Sequence, residues 1–125
     1  MNHKKLHALV VSVLLAMPIS VLAGRSEAET ALARANGGVA AAERAGAVQS
    51  VPTEAAVARE KLMQAERSCE RRDWDDCERA AHRAYADARL AEARTRQAKA
   101  ESATAALQAA VDTLRAELAR TGATR

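Results

Sequence analysis

Two cysteines, Cys69 and Cys77, are the only thiols in this 125-residue chain, and the short polar stretch Arg71-Arg72-Asp73-Trp74-Asp75-Asp76 lies between them. In an oxidising compartment an even cysteine count favours a disulfide. Closing so short a loop would contribute roughly 2–3 kcal/mol in the chain-entropy model. The alternative is a pair of buried thiols in an alanine seam. A metal site would have to recruit His82, and Asp73 with it. Cys77 and His82 are five positions apart and do not share a helix face, and the chain contains no C-x-x-C. Reactive thiol pairs usually occupy C-x-x-C at a helix start, so a redox-catalytic pair is not expected. The carboxylates Asp73, Asp75 and Asp76 are explained by helix capping, and His82 reads as a solvated helix position. No nucleophile elbow and no phosphate loop is present. The expectation is therefore no catalytic residue, no metal, no cofactor and no small-molecule substrate, hence not an enzyme.

The elements that carry these residues are helices. The first is expected over about 26–46, where Ala28, Leu32, Ala35, Val39, Ala42 and Gly46 alternate steps of four and three, the period of one helical face. Gly37-Gly38 in its middle costs roughly 1 kcal/mol per glycine relative to alanine and points to a bend or a close helix contact. Ala47 to Thr53 reads as a connection, with Ser50 and Pro52 marking the next start. The second helix, about 51–71, has Ala55, Ala58, Leu62, Ala65 and Cys69 on its inner face. Arg72-Asp73 reads as a tight turn. Asp73 is a good N-cap, and Asp76 three residues later loosely resembles a capping box.

The third helix, about 74–120, meets no glycine or proline until Gly122. Its first half offers Cys77, Ala81, Ala84, Ala88 and Ala91 to the second helix. Its second half has a different seam, Leu107, Val111, Leu114 and Leu118, in coiled-coil steps. Either the first helix folds back on this half or another chain covers it. Asp75 to Arg79 and Glu92 to Arg96 are acid-first pairs four apart, which support a helix. The predicted fold class is all-α: a three-helix antiparallel bundle, or a hairpin, with one long C-terminal helix and close alanine packing.

The first residues read as an address. Lys4 and Lys5 precede an apolar run from Ala8 to Leu22, and Val21-Leu22-Ala23 places small residues before a cut, as in a secretory signal peptide. Cleavage between Ala23 and Gly24 divides the chain into a leader, 1–23, and a single helical domain, 24–125. Leu22-Ala23-Gly24 also begins a lipoprotein cleavage box, but Arg25 stands where the acylated cysteine must be. The apolar run is shorter than the ~20 residues of a spanning helix. The mature chain is thus expected in the periplasm and not membrane-spanning.

Lys4 and Lys5 account for two of the 19 basic residues. The rest nearly balance the 16 acids, and the signs are interspersed, which excludes a nucleic-acid footprint. After the leader, Trp74 and Tyr85 are the only aromatics and phenylalanine is absent. Alanine supplies most of the apolar surface. It favours helices but buries little area per residue, so a deep ligand pocket is not expected.

Ala58, Leu62, Ala65, Asp73-Trp74, Ala80, Ala84, Ala88, Ala91 and Ala93-Arg94, behind a secretory leader and an alanine-rich helix, give the chain a family likeness. It resembles the small helical domain of unknown function found in Gram-negative lipoproteins and beside OmpA-like peptidoglycan-binding domains. The resemblance implies an envelope location and brings no catalytic residues. The function expected is a non-catalytic structural or adaptor role in the cell envelope. The long helix would act as contact surface through Leu107, Val111, Leu114 and Leu118, toward an unknown envelope protein or a homo-oligomer. The alternative is a periplasmic chaperone or stress protein that binds unfolded clients.

Overall fold

Alanine at the seam positions decides the architecture, because helices faced with methyl groups approach closely. A computed structural model of the chain describes residues 19–123, with side chains from Gly24 onward. Residues 1–18 of the expected leader lie outside the described residues. The backbone is helical across the proposed Ala23–Gly24 cleavage point. Four helices follow in order: α1 Ile19–Ala45, α2 Ala47–Ser50, α3 Pro52–Glu70 and α4 Trp74–Ala123. No strand occurs among the described residues, so the chain is all-α as predicted.

α1, α3 and the first half of α4 form an up-down-up bundle. α3 runs antiparallel to both neighbours, and three contacts define this. Arg59 Nε donates to Glu43 Oε1 at 2.5 Å across α3 and α1, Arg94 pairs with Glu54 across α4 and α3, and Cys69 joins Cys77 at the turn. α1 is parallel to α4. Cys77 lies against Ala28 at one end, and Lys99 Nζ donates to the Ala45 carbonyl at 2.6 Å at the other. α1 therefore lies beside the first half of α4 and does not fold back on Leu107, Val111, Leu114 and Leu118.

The core is built of methyl groups. Ala31, Ala35, Ala65, Ala80, Ala81 and Ala84 cluster under Leu32, Leu62 and Tyr85. Val39, Ala58 and Ala88 form the middle, and Ala42, Ala47, Ala55 and Ala91 the end near Val48 and Val51. The buried positions include all five that the sequence assigned to α4.

The expected connection after α1 contains one further helical turn. Gly46 takes a left-handed conformation, φ 93°, which ends α1 where the sequence had extended it to Gly46. α2 then fills the connection. The carbonyl ends that α1 leaves open are met in part by Lys99 of α4, a cation at a negative dipole end.

The two central glycines of α1 differ in their surroundings. A Cβ on Gly37 would meet nothing within 4 Å. A Cβ on Gly38 would stand 2.8 Å from Tyr85 Cδ2 and 3.6 Å from the Ala88 methyl. The close helix contact foreseen from sequence thus belongs to Gly38, and the Tyr85 ring it admits is covered by Arg34, whose guanidinium carbon is 4.6 Å from the ring centroid. Gly37→Ala should raise stability by about 1 kcal/mol, the ordinary helix-interior gain. Gly38→Ala should forfeit that gain, because the same methyl displaces Tyr85. Paired thermal melts check this; equal stabilisation by both would contradict the contact.

Candidate functional site

The turn between α3 and α4 holds the chain's one pair of bonded side chains. α3 closes with its Asp73 amide on the Ser68 carbonyl at 3.0 Å and its Arg72 amide on the Cys69 carbonyl at 2.9 Å. This is the paired closure of a Schellman motif. It puts Arg72 at φ 61°, a conformation that suits glycine and costs an L-residue roughly 1 kcal/mol or more. Arg72→Gly should therefore raise the unfolding free energy by about 1 kcal/mol, read from denaturant midpoints. A loss of stability would show that the arginine side chain has a packing role here.

Asp73 caps α4 as expected, its Oδ1 accepting from the Asp76 amide at 3.3 Å. The reciprocal half of the capping box does not form, because the Asp73 amide is already bound to Ser68. Asp76 pairs instead with Arg79. This also corrects the expected Asp75–Arg79 pair. Arg79 beside Asp76, with help from Asp73, holds the Asp76 carboxyl below the usual carboxylate range.

Cys69 and Cys77 are disulfide-bonded, with Cα atoms 5.1 Å apart, so the alternative of two free thiols is not the one the chain adopts. Cys77 is fully buried. Its sulfur lies 4.0 Å from the Ala28 carbonyl, and a bridged sulfur has no proton to donate, so this is a packing contact. The bridge joins α3 to α4 and packs against α1 at Ala28. Arg25 closes the same end, its guanidinium carbon 5.8 Å from the Trp74 ring centroid. Arg25 also pairs with Glu29 one turn on, at 2.7 Å.

His82 is exposed and stands 3.4 Å from Glu78. Among the described residues, no group of three His, Cys, Asp or Glu side chains is placed to hold a metal. The surface depressions are shallow. One of about 260 Å³ lies between α1 and α4 beside His82, and one of about 240 Å³ lies between Val57 and Leu90. At the far end of the bundle, the start of α3 and Arg94 hold the Glu54 carboxyl low. Backbone hydrogen bonding at the helix N-terminus is the larger cause, and the Arg94 guanidinium the next. With the folded value depressed, this stabilisation is complete above the ordinary carboxylate range and is lost as pH falls through the folded value.

Two buried polar residues near this end were not foreseen. Thr95 is fully buried and satisfies its hydroxyl by donating to the Ala91 carbonyl at 2.8 Å. Glu92 is nearly buried and lies between Arg89, 2.7 Å away, and Arg96. The i, i+4 spacing of Glu92 and Arg96 was legible. The burial was not, since it follows from α4 being covered up to Thr95.

Beyond that point no other described helix covers α4. Every residue from 101 to 123 is exposed, a free helical length of about 34 Å at 1.5 Å per residue. Leu107, Val111, Leu114 and Leu118 remain 68%, 40%, 64% and 74% exposed. At about 100° per residue, the direction of this stripe is roughly a third of a turn from the bundle face, Cys77-Ala81-Ala84-Ala88-Ala91-Thr95. Continued past Thr95, the bundle face reads Ser102, Ala106, Ala109 and Thr113, with no large apolar residue. The helix thus stops being a bundle member and presents its apolar side on a different face. No helix among the described residues is long and apolar enough to cross a membrane.

Residues 28–107 match the family described as Domain of unknown function, DUF4398. The chain belongs to that family, a small helical domain, and the match runs from Ala28 in α1 to Leu107, the first leucine of the exposed stripe. No curated protein and no solved structure gives a significant match.

Proposed function

We propose that this chain is a non-catalytic, periplasmic component of the cell envelope that works as a structural or adaptor element through helix–helix contacts. The observation that carries this reading is the bare distal half of α4. Four large apolar side chains in coiled-coil steps, each worth roughly 1.5–3 kcal/mol when fully buried, stand in solvent on a helix that the bundle holds rigidly. The disulfide is consistent with an oxidising compartment, and the leader with export. A chaperone reading is weaker, because the exposed apolar surface is a single narrow row rather than a broad groove.

Leu114→Asp should abolish capture of the partner in crosslinked envelopes while changing the bundle's stability by less than about 0.5 kcal/mol, the usual size of an exposed substitution. Circular dichroism melts and crosslinked co-purification measure the two effects. Cooperative unfolding by this substitution would make the stripe part of the core and end the reading. Intact mass of exported protein should match a chain starting at Gly24 without lipid; a retained leader or an acyl adduct would contradict the proposed localisation.

A further inference from the structure

We infer that the α3–α4 corner is a reversible thiol-modification site, in which Cys69 accepts an incoming thiol and Cys77 is the built-in resolving thiol that expels it. The corner lies at the other end of the bundle from the bare half of α4 and does not depend on what that half meets.

The two sulfurs of the bridge differ in access. Cys77 is 0% exposed, and its sulfur lies 4.0 Å from the Ala28 carbonyl of α1. Cys69 is half-buried on the last turn of α3, and residues 70–73 after it are all exposed. Disulfides open by attack of a thiolate on one sulfur, and access decides which sulfur is attacked. Approach to Cys77 would have to pass through the packed interior between α1 and α4. Cys69 is the sulfur on the solvent side.

The exchange needs only a thiol. The incoming thiolate bonds to Cys69 Sγ, the Cys69–Cys77 bond breaks, and its electron pair leaves on Cys77 Sγ, which takes a proton from solvent. A monothiol stops there, as a mixed disulfide on Cys69. In the reverse step Cys77, deprotonated, attacks Cys69 Sγ and returns the monothiol as thiolate. A dithiol goes further. Its second thiolate attacks its own bonded sulfur, so it departs as a cyclic disulfide and leaves Cys69 to be protonated.

The fold accommodates the open state. A released Cys77 thiol has a proton to give, and the Ala28 carbonyl is the acceptor beside it. The corner is also held without the bridge, by the Asp73 amide on the Ser68 carbonyl at 3.0 Å and the Cys77 amide on the Asp73 carbonyl at 2.9 Å. These bonds keep the two cysteines within reach, so Cys77 can close the bridge again.

Wild-type protein opened with dithiothreitol should stay helical by circular dichroism. A short maleimide pulse should then label Cys69 about a hundredfold faster than Cys77, because a thiol with no exposed surface reacts only through local opening. Alkylating the remainder after denaturation and mapping the peptides reads the ratio. With glutathione disulfide, Cys77→Ala should hold a lasting glutathione adduct on Cys69, and Cys69→Ala should take none. Reduced wild type under the same disulfide should end as the Cys69–Cys77 bridge without adduct. Equal labelling of the two thiols, or loss of the helical fold on reduction, would overturn the site. So would an adduct on Cys77 or no adduct in Cys77→Ala. A lasting adduct on the wild type would overturn the resolving role of Cys77.

Discussion

Ala84→Leu should lower the unfolding free energy by about 2 kcal/mol, the middle of the range for overpacking a filled core. In a domain of this size that is a fall of about 10 °C in melting temperature. Ala84 is fully buried and shares its cluster with five other alanines from all three long helices. A leucine adds three carbons at a point where helix backbones are separated by methyl groups. Ala109→Leu on the exposed distal half is the control and should change stability by less than about 0.5 kcal/mol. If Ala84→Leu melts like wild type, the helices are not packed at alanine spacing and the fold described above is wrong in its main feature.

Loss of the disulfide should have an effect at least as large. Cys69→Ala should cost about 2.5 kcal/mol, from the closure entropy of a loop whose ends are eight residues apart. Reductant should produce a similar fall in the wild type and none in the variant. Helicity should persist below the melting transition, because the Asp73 cap and the Schellman closure do not depend on the bridge. The alanine seam is independent of it as well. Equal melting temperatures with and without reductant would show that the bridge contributes nothing to stability.

Helix boundaries were legible because local signals agree: Pro52 at the first turn of α3 and Asp73 capping α4 act within a few residues of chain. The closing turns were less so. Gly46 is a glycine at a helix end, but its last-face periodicity placed it inside α1, and only its positive φ shows that the helix stops before it. Arg72 gives no such clue at all, since nothing about an arginine announces a left-handed residue. The Schellman bonds enforce it because the chain must reverse there to bring Cys69 to Cys77.

The candidate site divides the same way. Spacing alone singled out Leu107, Val111, Leu114 and Leu118, since a four-three alternation is a property of the chain. Whether α1 covered them was a question of direction, and that is a tertiary matter. Once Gly46 and α2 turn the chain back into α3, α1 has already run parallel to the first half of α4 and ended at Lys99. Among the described residues, no other helix reaches the second half.

By itself, then, the sequence determined an all-helical chain, its capped corner, its cysteine pair, its alanine seams and the existence of a second apolar seam, because each follows from periodicity or from bonds a few residues apart. Only the tertiary structure decided that the second seam is uncovered, that it lies on a different face from the bundle seam, that Gly38 rather than Gly37 makes the close contact, and that Glu92 and Thr95 are buried. These depend on which surfaces of helices distant in sequence meet, and that is set by the whole packing at once.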